Sequence, residues 1–337
     1  MLPKVAVVIL NFNTVDLLKK FIPSVLKTEY DNLEIIVADN GSSDNSIVML
    51  EQDFPQVTII DLAENLGFAG GYNAALKQVD ADIVVLLNSD VEVSPNWVKP
   101  IVDLMLESDH IAAVQPQILD YKKKNYFEYA GAAGGLIDSL GYPFCYGRIF
   151  DELEENKGQY NKVKKIFWAS GAALFIRKNW WEEVEGLDAD FFAHMEEIDL
   201  CWRLQRSGAS IYYCPDSHVY HVGGATLSKQ NARKTFLNFR NALAILIKNL
   251  PWYALLWKFP LRLVLDGLAG LKFLSEKKPD HCMAIIKAHF SVYAHWNLWW
   301  RKRKEIKKFK SMSALGGVYK GSIVWQYFVK KQKPELK

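Results

Sequence analysis

The stretch Ile35–Ser46 reads IIVADNGSSDNS. An apolar, partly β-branched run closes on a carboxylate, and a polar turn with glycine follows at once. This is a strand that ends in a turn. Working outward, Val5–Leu10 is a continuous apolar run, as expected of a strand buried on both faces, and it ends at Asn11 and Asn13. Val15–Thr28 then places Leu17, Leu18, Phe21, Ile22, Val25 and Leu26 on one side of a helix. The second strand is Glu34–Ala38, followed by a helix over Ile47–Gln52 and a third strand over Val57–Leu62. Next come a glycine-rich turn, Gly67–Gly71, and a helix over Tyr72–Val79. A fourth strand, Ile83–Leu87, leads to Asn88-Ser89-Asp90. A helix over Pro95–Ser108 and a strand over Ile111–Val114 complete the run. Repeated strand-helix-strand units predict an α/β fold with a mostly parallel sheet and right-handed crossovers.

The later segments read less regularly. Residues 121–165, with KKK at 122–124 and DELEE at 151–155, are expected to form a surface excursion able to meet an acceptor. A strand is expected over Ile166–Ile176, a loop entering a helix over Asp190–Arg206, and a strand over Ser210–Cys214. Beyond Ser228 only helical patterns occur.

Bulk properties bound the function. The chain has 337 residues, 50% hydrophobic and 23% charged, which excludes a disordered chain and suits a sizeable core. Net charge is only +3, but it is unevenly placed. Residues 1–228 hold 18 Lys/Arg against 33 Asp/Glu, and residues 229–337 hold 23 against 5. An acidic body is joined to a basic tail. Cys145, Cys201, Cys214 and Cys282 are widely spaced with no CxxC pair, so neither a disulfide framework nor a zinc site is expected, and a reducing cytoplasm fits. The first residues lack the basic and cleavage features of a signal peptide. No uncharged apolar run approaches the ~20 residues that span a bilayer.

In open parallel sheets, ligands bind outside the carboxyl ends of the strands. Here three strands end in polar side chains: Asn11 and Asn13, Asp39 and Asn40, and Asn88 and Asp90. One such aspartate alone would be an ordinary turn former or helix cap. Three converging on one rim point to a ligand. Gly67–Gly71 should face the same rim, but it is not a GxGxxG dinucleotide fingerprint.

VVILNFN, IIVADNGSSDNS, ENLGFAGGYNAAL and VVLLNSDVEVSPNWV, followed by ASGAALFIRK, GLDADFFAHMEEIDLCWRLQRSG and YYCPDSHVYHVGG, occur in that order between about residues 4 and 228. In order and spacing they resemble a family 2 glycosyltransferase with a GT-A fold, of the rhamnosyltransferase-like subgroup of bacterial surface polysaccharide assembly. The resemblance implies a Rossmann-like sheet flanked by helices over 1–228, with 229–337 as a helical, basic extension.

It also implies roles. Asp39 would accept the imide N–H of uracil or thymine, since a carboxylate offers acceptors only. Asn11, Asn13, Asn65, Gly67, Gly71 and Asn88 would complete the donor nucleotide site, the glycines admitting close backbone approach. Asp90 would carry a divalent Mg2+ or Mn2+ that neutralises the leaving diphosphate, with His221 completing the metal site. Glu197 would be the catalytic base that deprotonates the acceptor hydroxyl. Trp168, Gly171, Asp188 and Glu196 would bind acceptor or sugar. Two positions depart from the family pattern: Asn88 stands where the first aspartate of a DxD element is usual, and Glu197 where an aspartate is usual. Glu196 and Asp199 lie at i and i+3 on one helix face, where an acidic first turn also suits the helix dipole. Arg203, a turn further on, is placed to pair with a carboxylate or a phosphate, the structural pair being the favoured reading.

The implied reaction is inverting transfer from a dTDP- or UDP-sugar to a glycan or lipid-linked glycan hydroxyl. A catalytically idle binding module is the competing reading, supported by Asn88 and Glu197. A nucleotidyltransferase would need a basic, glycine-rich loop near the N-terminus, and LNFNTVDLL is not one. In the tail, cations punctuate ALAILI, WYALLW and LRLVLDGLAGLKFL, and RKRKEIKKFK occupies 301–310. Basic faces with tryptophan anchors predict helices at an anionic membrane surface on the cytoplasmic side, the rival reading being a subdomain packed on the acidic body. Nucleic acid is not expected, because no recognised nucleic-acid-binding motif accompanies the basic stretch.

Overall fold

The computed structural model describes residues 2–223, 231–306 and 312–333. The expected boundary at 228/229, Gly224 of the HVGG motif and residues 307–310 of the basic run lie outside the described residues. The chain runs β1 (Val5–Asn11), α1 (Val15–Val25), β2 (Leu33–Asp39), α2 (Ser46–Asp53), β3 (Thr58–Asp61), α3 (Gly67–Leu76), β4 (Ile83–Asn88), β5 (Val91–Val93), α4 (Lys99–Leu106) and β6 (Ile111–Asp120). Short strands follow: β7 (Gly135–Asp138), β8 (Pro143–Cys145), β9 (Arg148–Ile149), β10 (Glu152–Leu153) and β11 (Lys164–Lys165). Then come β12 (Ala173–Arg177), α5 (Lys178–Glu183), α6 (Glu196–Ser207) and β13 (Ser210–His221). The tail contains α7 (Ala232–Asn249), α8 (Trp252–Ser275), α9 (Pro279–Ala294), α10 (Trp296–Glu305) and β14 (Val318–Tyr319).

The main sheet is ordered β11-β13-β6-β12-β4-β1-β2-β3, with β5 beside β13. Pairing is parallel through β4, β1, β2 and β3 and between β6 and β13. It is antiparallel where β12 sits between β4 and β6, and at β11 and β5. The β1 residues explain why the sheet is central. Val5, Val7 and Ile9 join one core with Leu18, Ile22 and Val25 of α1, while Ala6 and Val8 join another with Ala69 and Tyr72 of α3. A strand that feeds both cores has to be apolar at every position.

Several expectations change. Gly67–Gly71 is not a turn before a helix but the first turn of α3 itself; Gly67, at φ +72°, makes the entry that a side chain would strain. The helix expected over Pro95–Ser108 is confined to Lys99–Leu106, with Pro100 in its first turn, where the missing N–H costs nothing. The strand expected over Ile166–Ile176 begins only at Ala173. Residues 121–165 are not a surface excursion. Phe127, Ala132, Leu136, Phe144 and Cys145 are all buried, and the segment builds a second sheet, β10-β9-β8-β7-β14. Its last strand comes from the tail, where only helices were expected, and pairs Val318 with Ile137.

The tail is thereby built into the molecule, and several of its cations are spent internally. Lys248, nearly fully buried, lies 2.5 Å from Asp188 Oδ2 and 2.8 Å from Asp199 Oδ2. Lys302 pairs with Asp188 and Asp190. Arg303 donates to the carbonyls of Ile247 and Leu250 at 2.7 and 2.5 Å.

Candidate active site

Strand register brings the expected residues to one rim. Asn11 pairs with Asp39 across β1 and β2, and Leu10 with Asn88 across β1 and β4, so the three carboxyl ends lie within one residue of each other. Asp39 is fully buried. Its Oδ2 accepts from Asn11 Nδ2 at 2.7 Å and its Oδ1 from the Ser42 N–H at 2.8 Å. Asn13 Oδ1 accepts from the Ser43 N–H at 2.7 Å and so fixes the 41–44 turn. Asn40 spans to the next loop. Its Nδ2 donates to Asn65 Oδ1 at 3.2 Å and to the Gly67 carbonyl at 3.1 Å, and its Oδ1 accepts from the Leu66 N–H at 3.0 Å. At Gly71 a Cβ would stand 2.8 Å from Leu10 Cδ1, so the absence of a side chain there spares the Leu10 side chain a shift where α3 meets β1.

On the other side of the rim, His221 ends β13. Its Nε2 lies 3.1 Å from Asp90 Oδ1 and 3.4 Å from Asn88 Nδ2, and its Nδ1 lies 3.1 Å from Glu128 Oε2. Burial opposes charge on this imidazole, but the two flanking carboxylates outweigh it and raise its pKa to about 10. Burial likewise opposes the Asp90 carboxylate, and the His221 contact holds its pKa below the usual value. Glu128 is a residue the sequence did not mark, since it sits in the segment read as a surface excursion, 93 positions from its partner. Among the described residues, no group of three or more His, Cys, Asp or Glu side chains is arranged to hold a metal ion by itself.

The acidic motif lies beside α3. The Phe68 N–H donates to the Phe192 carbonyl at 3.1 Å, and Asn73 exchanges two hydrogen bonds with the backbone of Leu187. Three residues of this loop, Phe192, His194 and Met195, hold positive φ without being glycine. Each such residue costs on the order of 1–3 kcal/mol and needs outside support. The support comes from α7. Fully buried Asn241 donates to the carbonyls of Phe191, Ala193 and His194 at 2.7–3.1 Å, and Arg240 donates to that of Phe191 at 2.8 Å.

The loop delivers Glu196 and Glu197 to the first turn of α6. His194 Nε2, Glu196 Oε2 and Glu197 Oε2 are buried and make no hydrogen bond. Three unsatisfied polar atoms within four residues are rare in a folded chain and single this turn out as the candidate site. Burial pushes the Glu197 carboxyl up to about 7, against the opposing pull of the Glu197 and Met195 backbone N–H groups. Burial, then the neighbouring Glu197, raises Glu196 well above the carboxylate range. Burial lowers His194 to about 4, so it is a neutral imidazole. Asp199 turns the other way. Burial opposes its charge, but Lys248 and Arg203 keep it ionised, with Arg203 Nε at 2.8 Å as expected.

Two acceptor-side expectations are corrected. Asp188 does not face open space. It is the cap of a short 3-10 turn and is held by Lys248 and Lys302, so its carboxylate braces the tail. Trp168 is core. Its indole N–H donates to the Leu136 carbonyl at 3.0 Å and its ring covers Gly135, where a Cβ would meet it at 2.3 Å. Gly171 does border the rim, facing Phe68 of α3. A cavity of about 670 Å³ lies between residues 77–82 and 177–182. That is the amino end of β4, opposite the rim where ligands of such sheets bind.

Residues 6–179 match the model for glycosyl transferase family 2. The chain belongs to that family and is a glycosyltransferase. It is 25% identical over 271 residues to the N-acetylglucosaminyl-diphospho-decaprenol L-rhamnosyltransferase of Mycobacterium tuberculosis, covering 76% of this chain and 87% of the relative. Its fold is similar to that of GalNAc-T7, solved with UDP, GalNAc and Mn2+, at TM-score 0.58 and 16% identity, over 74% of this chain and 49% of that one. It is also similar to the mannosyltransferase PcManGT from Pyrobaculum calidifontis in complex with GDP-Man and Mn2+, at TM-score 0.52 and 14% identity, over 98% and 89%. These likenesses place the chain in the GT-A fold.

Proposed function

We propose that the chain moves a sugar, with inversion, from a dTDP- or UDP-linked donor to a hydroxyl of a glycan or lipid-linked glycan acceptor. The observation that carries this is the half-buried Glu197 carboxyl, raised to about 7 with its Oε2 left without a hydrogen bond, beside a rim of nucleotide-type polar residues. In its ionised form it takes the proton from the acceptor hydroxyl. The oxygen forms a bond to the anomeric carbon from the face opposite the leaving group, the carbon–oxygen bond to the diphosphate breaks, and the nucleoside diphosphate departs with its electron pair. Asp39 and Asn11 hold the base end of the donor, and the Asn40–Asn65–Gly67 bridge shapes the backbone beneath it. A rhamnosyl donor and an isoprenoid-linked acceptor are favoured by the name of the mycobacterial relative.

The Asp90 carboxylate would hold a divalent ion, and His221, which stands charged between Asp90 and Glu128, would join it through Nε2 only on giving up its proton. One carboxylate and one imidazole are too few to hold it alone, which suits an ion that completes its shell with diphosphate oxygens and water. Bound there, Mg2+ or Mn2+ would neutralise charge on the leaving diphosphate. Asn88 adds a neutral amide in place of a second carboxylate, so affinity should depend on the donor being present. The free cysteines fit a reducing compartment, and we place the reaction on the cytoplasmic side.

A panel of nucleotide sugars tests the donor class. A ligand that binds only the native state raises the melting temperature, by about 2.7 kcal/mol of stabilisation at a hundredfold excess over Kd. Pyrimidine sugar nucleotides should raise it by a few degrees, more with Mn2+ or Mg2+ than without, and Asp90→Ala should remove the metal-dependent part. Equal shifts from purine and pyrimidine donors, or none, would contradict the assignment of Asp39.

The pH dependence has a definite sign. Glu197 must be ionised to act, and its folded-state pKa is raised, so activity should climb through about pH 7 and level off above it. A kcat/KM limb near 4.5, the value of an unperturbed glutamate, would rule Glu197 out as the base.

A further inference from the structure

Helix α8 is built inside out. Three of its four charged residues, Lys258, Arg262 and Asp266, recur at helical spacing and are buried, and only Lys272 near its end is exposed. Arg262 pairs with Asp266 at 3.0 Å and stacks 3.7 Å over the Tyr142 ring, and His289 of α9 reaches Asp266 at 3.3 Å. Its outward stripe is apolar: Trp252, Tyr253, Leu256, Trp257, Leu268 and Leu271 are 53–69% exposed. No exposed residue of α8 between Trp252 and Leu271 carries a charge. Helix α9 continues the surface with Phe290 and Tyr293. A stripe of this kind is the reverse of an ordinary water-facing helix.

We propose that this face of α8 and α9 lies in the interfacial zone of a lipid bilayer, with the helices parallel to the membrane plane. The 24 residues of α8 extend about 36 Å, yet no helix among the described residues is long and apolar enough to cross a membrane. A long apolar stripe without a span is the form of a monotopic anchor. The rest of the surface points to lipid over a second copy of the chain. Trp252, Tyr253 and Trp257 cluster at one end, and amphipathic rings favour the level of lipid headgroups. Around the stripe, the exposed charges of residues 252–306 are Lys272, Lys277, Lys278, Lys287, Arg301 and Lys304 against Glu276, Asp280 and Glu305, an excess of cations suited to anionic headgroups. The sequence placed the membrane contact on basic helix faces with tryptophan anchors. The structure commits part of that charge, Lys248, Arg262, Lys302 and Arg303, to internal contacts and moves the contact to the apolar face.

Co-sedimentation of the full chain with phosphatidylcholine vesicles, with and without phosphatidylglycerol, tests this without any need for enzyme activity. The full chain should bind both, the anionic vesicles more tightly and in a salt-dependent manner. The Leu256→Glu/Leu268→Glu variant should lose at least about tenfold in partitioning to both while keeping its circular dichroism and melting temperature. Should that variant fail to fold, brominated lipids decide the matter with the unaltered protein. They should quench its tryptophan emission, and markedly less so in Trp252→Phe/Trp257→Phe. Absence of binding to either vesicle, full binding by the glutamate variant, or no quenching would overturn the proposal. So would a lipid-free dimer that the same glutamate variant dissociates, since a second copy would then cover the face.

Discussion

Glu197→Gln should lower kcat for sugar transfer by about 10²–10⁴-fold, the usual contribution of a positioned base, with donor binding unchanged. Glutamine keeps the shape and polarity of the side chain and removes only the ability to take a proton. The split between kcat and donor affinity is therefore the informative readout. The variant should also lose the limb near pH 7, because the titrating group has gone. Its fold should be undisturbed and even slightly firmer above pH 7. A raised folded-state pKa means that burial of this carboxyl favours folding only while it is protonated, and the advantage is lost as pH rises through about 7. A variant with full activity, or with weakened donor binding and unaltered kcat, would move the base elsewhere on the rim.

Lys248→Met should destabilise the chain by about 3–5 kcal/mol, the cost of leaving a buried charge uncompensated. Methionine fills most of the volume, so the loss reports charge more than packing. Asp199 is wholly buried and would retain only Arg203 and Asn249, while Asp188 would retain Lys302. Urea unfolding measures the difference. Lys302→Met should cost less, because that side chain is partly exposed and solvent screens its pairs. A Lys248 variant as stable as the parent would mean that the tail is not braced through this cluster. The same lysine should affect catalysis at a distance, since Asp188 and Asp199 flank the strained loop that presents Glu197. A lower rate with an unaltered pH limb is the expected signature of that indirect role.

The strands of the rim were legible because their signals are local. Val5–Ile9 must be apolar throughout to feed two cores, and Asn11, Asp39 and Asn88 end their strands within one residue of each other. Local signals failed where strands shrink to two to four residues, too short to show any period, as in the second sheet. They also failed for partners distant in sequence. Nothing near Glu128 announces His221, and nothing near Lys248 announces Asp199. Asp188 illustrates the limit of motif reading: its place in GLDADFF suggested a sugar contact, but a cation 60 residues further on claims it. Helix α8 gave a composition without a direction. The sequence showed cations among apolar residues, and only packing against Tyr142 and His289 revealed that the charges face inward.

The central claim is that the rim around Asp39, Asp90 and Glu197 transfers a glycosyl group from a pyrimidine nucleoside diphosphate sugar. Release of nucleoside diphosphate by the full chain tests it most directly, measured with dTDP- and UDP-sugars and a sugar-diphospho-isoprenoid acceptor, in Mn2+ and in chelator. Acceptor-dependent release should occur with at least one donor, require the metal, and fall by about 10²-fold or more with Glu197→Gln. Release that survives both the chelator and the Glu197 change, or no release from any pyrimidine donor by a chain that binds it, would contradict the account.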